Sequence, residues 1–242
     1  MKTELIDWMG DDLRVVNAAR VSFNKESEWE FFNHDSIENG VADGRAYLNT
    51  KDQKLLKYLA DHSHWTPFSH PQITMRETVP IFVARQRFKH MVGFTYNEVS
   101  RRYVDDEPEF FFPTLWNGRA EYNKQGSGEP LDEIFQDFWY MKYEEFLGTA
   151  LNLYSEMIKG GVAPEQARMV LPQSTYTSYY VTGSLAAWAR AYKLRSDSHA
   201  QKEIRDLASM WNEIIAPLFP YSWKALTNVD VEESTLIPLS TN

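Results

Sequence analysis

Apolar positions along the chain switch between strand-like and helix-like spacing, and Gly, Pro and Asx residues mark most of the switches. Glu4 to Trp8 reads as a short strand, and Asp11-Asp12 then cap a helix through Ala19-Arg20. Val21-Ser22-Phe23 closes it, and Asn24 to Gly44 is a polar, acidic surface excursion. Thr50 with Gln53 resembles a capping box opening a helix with Leu55, Leu56 and Leu59 on its apolar side, ending near His62. His64 to His70 is a loop around Pro67, and Ile73 to Arg76 alternates as a strand does. Pro80 suits the first turn of a helix whose core stripe is Ile81, Ala84, Phe88 and Met91, with Gly93 as its breaker.

Phe110 to Pro113 reads as a buried strand or edge, and Asn117 to Glu129 as a polar loop. A long helix from about Leu131 to Lys159 follows, stopped by Gly160-Gly161. Its apolar residues, among them Ile134, Phe135, Phe138, Tyr140, Met141, Phe146 and Leu153, exceed what one face needs. Burial on two sides, as at a subunit contact, and simple core packing both explain that. Pro164 opens a short helix to Val170, Thr175 to Thr182 is a strand, and Gly183-Ser184 leads into a helix ending at Arg195. Ser196, Asp197 or Ser198 caps a further helix from about His199 to Ile215, which Pro217 and Pro220 end; Trp223 to Leu226 adds a final turn. The last residues, about 228–242, read as an acidic, mobile tail.

At 242 residues and 43% hydrophobic, the chain suits a single α/β or α+β unit with a sizeable core. No apolar run is long enough to span a bilayer, and the N-terminus lacks a signal-peptide layout, so a soluble cytoplasmic protein is expected. There are no cysteines, which removes disulfides, thiolate metal sites and any cysteine nucleophile. His62, His64 and His70 lack a zinc-binding spacing, and no metal is expected.

Charge changes the picture at one place. The net charge is -9, yet Ala84 to Tyr103 carries Arg85, Arg87, Lys89, His90, Arg101 and Arg102 with Glu98 as its one acid. Such a run seeks an anion, phosphate above all, or pairs with acids of another segment or subunit. Arg85 with Lys89, and Gln86 with His90, share rows of the helix. Leu194 to Gln201 sets Arg195, His199 and Gln201 around a helix start, and Arg168 and Arg190 stand on otherwise apolar elements. Neither a Rossmann nor a P-loop glycine motif is present, so a bound phosphate must be gripped by Arg and Lys side chains and helix N-termini.

Pro80 to Gln86, Phe88-Lys89-His90, Tyr96 to Ser100 and Arg102-Tyr103 together resemble the signature of the flavin-dependent thymidylate synthases, the ThyX family. Ala18 to Phe23, Thr66-Pro67-Phe68 with His70, Ala167-Arg168 with Val170 to Pro172, and Leu194-Arg195 with Asp197 to Gln201 extend the resemblance along nearly the whole chain, in family order. The family motif is R-H-R, seven residues, then Ser. Here it is Lys89-His90-Met91 and eight residues to Ser100, an arrangement similar to phage-type members, with one residue inserted near Gly93-Phe94.

The resemblance implies an α+β fold, a small mostly antiparallel sheet flanked by helices with a long helical layer, over a single domain spanning 1–242. It implies reductive methylation of dUMP to dTMP, with FAD as cofactor, methylenetetrahydrofolate and NADPH as co-substrates, and a homotetramer with shared active sites. The missing cysteine agrees, because a flavin hydride donor removes the need for a thiolate. By the same resemblance Gln86, Arg87, Lys89, Glu98, Ser100, Arg101, Arg102 and Arg168 surround dUMP, and Arg195 activates the uracil. Thr66, Lys89, His90, Met91, Val92, Asn97, Glu98, Ser184 and Arg190 border FAD, with Ser22, His64, His199 and Gln201 in reserve. The alternatives are another flavin enzyme acting on a modified pyrimidine nucleotide, and a nucleic-acid-binding module, which the acidic balance disfavours. No membrane or nucleic-acid partner is expected.

Overall fold

The structure is a computed structural model, and it describes residues 1–31, 46–103, 106–120 and 126–230. Much of the predicted 24–44 excursion and most of the predicted tail lie outside these residues. The organising element is a four-stranded antiparallel sheet of order β1-β4-β8-β5. Its strands are β1 (Lys2–Met9), β4 (Gln72–Pro80), β8 (Tyr176–Ser184) and β5 (Phe94–Glu98). Two small hairpins, β2 (Glu30–Phe31) with β3 (Ala46–Tyr47) and β6 (Asn117–Arg119) with β7 (Ser127–Pro130), lie outside it.

Alternation decides which sheet face is covered. Ile73, Met75, Glu77 and Val79 of β4, with Tyr179 and Val181 of β8, are buried on one face. The other face is polar: Thr74 bonds Thr182 at 2.9 Å, and Arg76 donates to Ser178 Oγ at 3.1 Å. Register carries three rows across β4, β8 and β5: Ile73–Gly183–Phe94, Met75–Val181–Tyr96 and Glu77–Tyr179–Glu98.

Helices α1 (Asp12–Arg20), α2 (Thr50–Asp61), α6 (Leu185–Arg195), α7 (Lys202–Leu218) and α8 (Pro220–Thr227) cover the apolar face. They bury Trp188, Trp211 and Trp223 with Val15, Val16, Leu56 and Ile215. Helix–helix contacts are tied by charge: Arg20 of α1 pairs with the buried Asp52 of α2. Asp12 accepts from the backbone N–H groups of Tyr221 and Ser222 in the first turn of α8, at 3.0 and 2.8 Å.

Most expected elements are present with shifted ends. Asn49, not Thr50, caps α2, because its side chain reaches the Asp52 N–H at 3.0 Å. The helix after Arg195 starts at Lys202, without a side-chain cap, and continues one residue past Pro217. Phe110 makes only a single bridge to Thr175, so the expected strand at 110–113 is absent. Inside the expected loop, Asn117 and Ser127 begin the strands of a hairpin instead.

The long helix α4 (Glu133–Lys159) buries only Leu147, Ala150 and Tyr154. It docks through Tyr143, which packs on Phe112 and Trp116, and through Gln136, which bonds both the N–H and the carbonyl of Trp116. Ile134, Phe135, Phe138, Trp139, Met141 and Phe146 stay exposed. Simple core packing within the chain therefore does not account for its excess of apolar residues. The short α5 (Pro164–Ala167) and a 3-10 turn (Arg168–Val170) lie against its far end.

Candidate active site

The site begins where α3 (Ile81–Arg87) ends. The helix stops four residues before the expected Met91, which is 74% exposed instead of joining the core stripe. A turn then carries Lys89 outward and His90 inward. The Nε of Arg195, at the end of α6, donates to His90 Nε2 at 2.8 Å, and its Nη2 donates to the Gln86 carbonyl at 3.1 Å. The Gln86 amide donates to Gln201 Oε1 at 2.7 Å. Residues up to 115 positions apart thus form one cluster.

Its electrostatics are one-sided. Burial, and then Arg195, Arg87 and Arg190, push the His90 pKa down to about 4. His90 is therefore a neutral imidazole whose Nε2 accepts and whose proton sits on Nδ1. Burial and the neighbouring Arg87 also lower the pKa of Arg195.

Beside this cluster lies a cavity of about 330 Å³ walled by His64, Trp65 and Phe68, with Val92, Gly93, Ser184 and Arg190 opposite. Ser184 Oγ caps α6 by accepting from the Ala187 N–H at 3.3 Å. Arg190 donates to the Val92 carbonyl. Gly93 has φ +80°, and a Cβ there would sit 2.9 Å from Ala187 Cβ, so the chain passes close only because this residue is glycine. Lys193 joins the lining and was not anticipated; its place three residues after Arg190 on one helix face is the signal that would have found it. Aromatic walls, two cations and a close backbone approach fit a phosphorylated planar heterocycle such as a flavin nucleotide. Thr66 and Met91, expected with this group, are exposed and outside the lining, and Asn97 faces away beside Tyr180 on β5.

A second cavity, of about 600 Å³, lies at the far end of β5. Glu98, Ser100, Arg101 and Arg168 line it together with Arg76, which sequence reasoning missed although strand alternation places it on the polar face. Glu98 accepts from Thr177 Oγ1 at 2.6 Å, and Arg101 donates to the Asp106 carbonyl at 2.9 Å. Arg102 pairs with Glu165 at 3.2 Å, while Arg168 bonds the Glu165 backbone carbonyl and not its carboxylate.

Four expectations need correction or relocation. Arg87 is completely buried and paired with Glu77, so it does not face a nucleotide phosphate. His199 bonds its own turn through Asp197 at 2.8 Å, and Ser22 sits on an exposed 3-10 turn. The expected dUMP residues fall into two groups, Gln86 with Arg195 in one and Glu98, Ser100, Arg101 and Arg168 in the other; the two cavities described above share no lining residue.

The family model described as "Thymidylate synthase complementing protein" matches residues 4–221. The chain belongs to the flavin-dependent thymidylate synthase family. A flavin-dependent thymidylate synthase of Thermosipho africanus is 35% identical over 221 residues, covering 91% of this chain and 88% of the relative. That of Thermus thermophilus is 36% identical over 222 residues, covering 91% and 73%. Among solved structures, a UMP/dUMP methylase, PolB from Streptomyces cacaoi, bound with 5-Br dUMP, superposes with a TM-score of 0.77 at 28% identity over 94% of each chain. The same methylase with 5-Br UMP gives a TM-score of 0.78 at 26% identity, over 94% of this chain and 93% of the other. The α+β architecture with an antiparallel sheet is thus that of the flavin-dependent thymidylate synthase family. No helix among the described residues is long and apolar enough to cross a membrane.

Proposed function

We propose that the protein catalyses the reductive methylation of dUMP to dTMP, taking its carbon from methylenetetrahydrofolate and its hydride from FAD reduced by NADPH. The observation that carries this reading is the Arg195–His90–Gln86 cluster beside an aromatic, cation-bearing slot, in a family member with no cysteine. A neutral His90 and the Gln86 carbonyl hold two nitrogens of Arg195, so a half-buried guanidinium is fixed before substrate arrives. Its role is to stabilise the negative charge that grows on the uracil as the ring is activated. Lys89, Ser100, Arg101, Arg102 and Arg168 are the phosphate-binding candidates, as point charges or bidentate forks.

Val92, Ser184, Arg190 and His64, with Trp65 and Lys193, are the residues that would hold FAD. FAD held there would supply hydride chemistry, and the chain then needs no protein thiolate. Two features support a homotetramer with shared sites: Gln86 and Arg195 stand outside the cavity that Glu98, Ser100, Arg101 and Arg168 line within one chain, and α4 leaves an aromatic face uncovered. A cytoplasmic location is part of the same reading.

The test is direct. Purified protein should be yellow, and incubation with dUMP, methylenetetrahydrofolate and NADPH should yield dTMP by chromatography. Colourless protein that takes up no FAD refutes the reading. A second reading, acceptance of the ribonucleotide UMP or another modified pyrimidine nucleotide, is favoured by the two PolB structures. Parallel assays with dUMP and UMP separate the two.

A further inference from the structure

Arg87 is a buried cation that the proposed reaction does not use. It ends α3, is fully enclosed, and holds its guanidinium carbon 4.3 Å from the Phe94 ring centre and 4.7 Å from those of Trp188 and Trp211. Its Nε lies 3.3 Å from both Glu77 oxygens. An ion pair in such a place is no more stabilising than apolar packing of similar volume, so stability alone does not explain it.

Its hydrogen bonds lead to the site. Arg87 Nη1 donates to the Tyr96 hydroxyl at 2.6 Å. Arginine only donates, so the hydroxyl must accept there and turn its own proton outward. That proton meets the His90 carbonyl, 2.6 Å away. The His90 ring then accepts from Arg195 at 2.8 Å. Donors thus converge on His90 from both sides, Tyr96 on its carbonyl and Arg195 on its ring, and Glu77 anchors the Arg87 end by also accepting from Tyr179 at 2.5 Å and Trp211 at 2.9 Å.

We propose that Arg87 is a positioning residue for Arg195: caged against Glu77 and the aromatic rings, it fixes the His90 backbone through Tyr96, and His90 in turn holds the Arg195 guanidinium. The charged groups facing His90 are Arg87 from α3, Arg190 and Arg195 from α6, and the adjoining Lys89; the carboxylate of Glu77 is engaged by Arg87. With the His90 carbonyl untethered, the ring is free to turn to water and take a proton. The catalytic consequence rests on the function proposed above, whereas the titration of His90 does not.

Tyr96→Phe removes one oxygen and leaves the ion pair and the rings in place. The proposal expects turnover on dUMP to fall on the order of tenfold, with KM for dUMP little changed. It also expects His90, followed by NMR in 15N-histidine-labelled protein, to titrate above its wild-type midpoint. Arg87→Lys keeps the charge but loses the fork, and should shift both readouts the same way. Wild-type turnover together with an unmoved His90 midpoint in folded Tyr96→Phe overturns the proposal, as does a lowered melting temperature with both readouts intact. If the wild-type protein makes no dTMP, the function fails while the His90 midpoint still decides the positioning role.

Discussion

Replacing Glu77 by Gln changes no shape, yet it removes the only carboxylate that pairs with the buried Arg87 among the described residues. Two Glu77 oxygens accept from Arg87 Nε at 3.3 Å, Tyr179 Oη at 2.5 Å and Trp211 Nε1 at 2.9 Å. An amide offers one acceptor in place of two, so a donor is left facing an NH2 group. The larger loss is that Arg87 becomes an uncompensated buried cation, a change worth about 3–5 kcal/mol when one partner of a buried pair is removed. The surrounding rings favour the cation by about 1 kcal/mol or more, which places the expected loss near the lower end, about 3 kcal/mol. For a chain of this length each kcal/mol moves the melting temperature by about 2–4 °C, so a fall of about 6–12 °C is expected. Thermal melts followed by circular dichroism measure it. Glu77→Gln combined with Arg87→Met should recover much of the loss, because no charge then remains buried. A single variant melting within about 2 °C of wild type would refute the claim that this pair is electrostatically closed off from water.

Gly183→Ala would place a Cβ 2.3 Å from Phe94 Cδ1 and push that ring off the Arg87 cage; overpacking of this kind costs about 1–3 kcal/mol or more, visible in the same melts. Burial raises the Asp12 pKa from its usual 3.8 to about 6, so the folded chain holds a proton that the unfolded chain has released between those values. This contribution to stability is complete below about pH 4 and is lost as pH rises through about 6; in Asp12→Asn that downward slope should vanish from denaturant-derived stabilities measured across the interval. Phe138→Glu with Met141→Lys on the exposed face of α4 should lower the molecular mass found by light scattering, and an unchanged mass would rule this face out as a subunit contact.

The parts of this protein legible from sequence are those governed by neighbours in the chain. Alternation along β4, the Tyr-, Thr- and Val-rich strand β8, the start of α6 after Gly183-Ser184 and the Gly160-Gly161 stop of α4 depend on a few adjacent residues, and all are found. Arg87 was misread because its direction depends on Glu77 and Trp211, neither of which periodicity places beside it. The helical stripe through Met91 failed for a related reason: α3 ends at Arg87, where Tyr96 draws in the His90 carbonyl. Gln86 and Gln201 were both candidates, but their contact across 115 positions has no local signature. The separation of Gln86 and Arg195 from the cavity lined by Glu98, Ser100, Arg101 and Arg168 was equally invisible, since a motif gives order along the chain and not position in space.

Strand β5 works as a ruler between the two cavities. Its Phe94 end abuts Gly93 and the slot, Tyr96 at its middle enters the buried cage, and Glu98 at its other end borders the larger cavity. A slip of one residue would turn Tyr96 outward and carry Glu98 to the opposite face. A residue added to this stretch therefore cannot be absorbed within the strand. Gly93, just ahead of it, has a left-handed backbone and forms the turn where added length can be accommodated. Length variation in this signature should accordingly collect at that turn, and evolution or engineering can lengthen the motif there without resetting either end of the site.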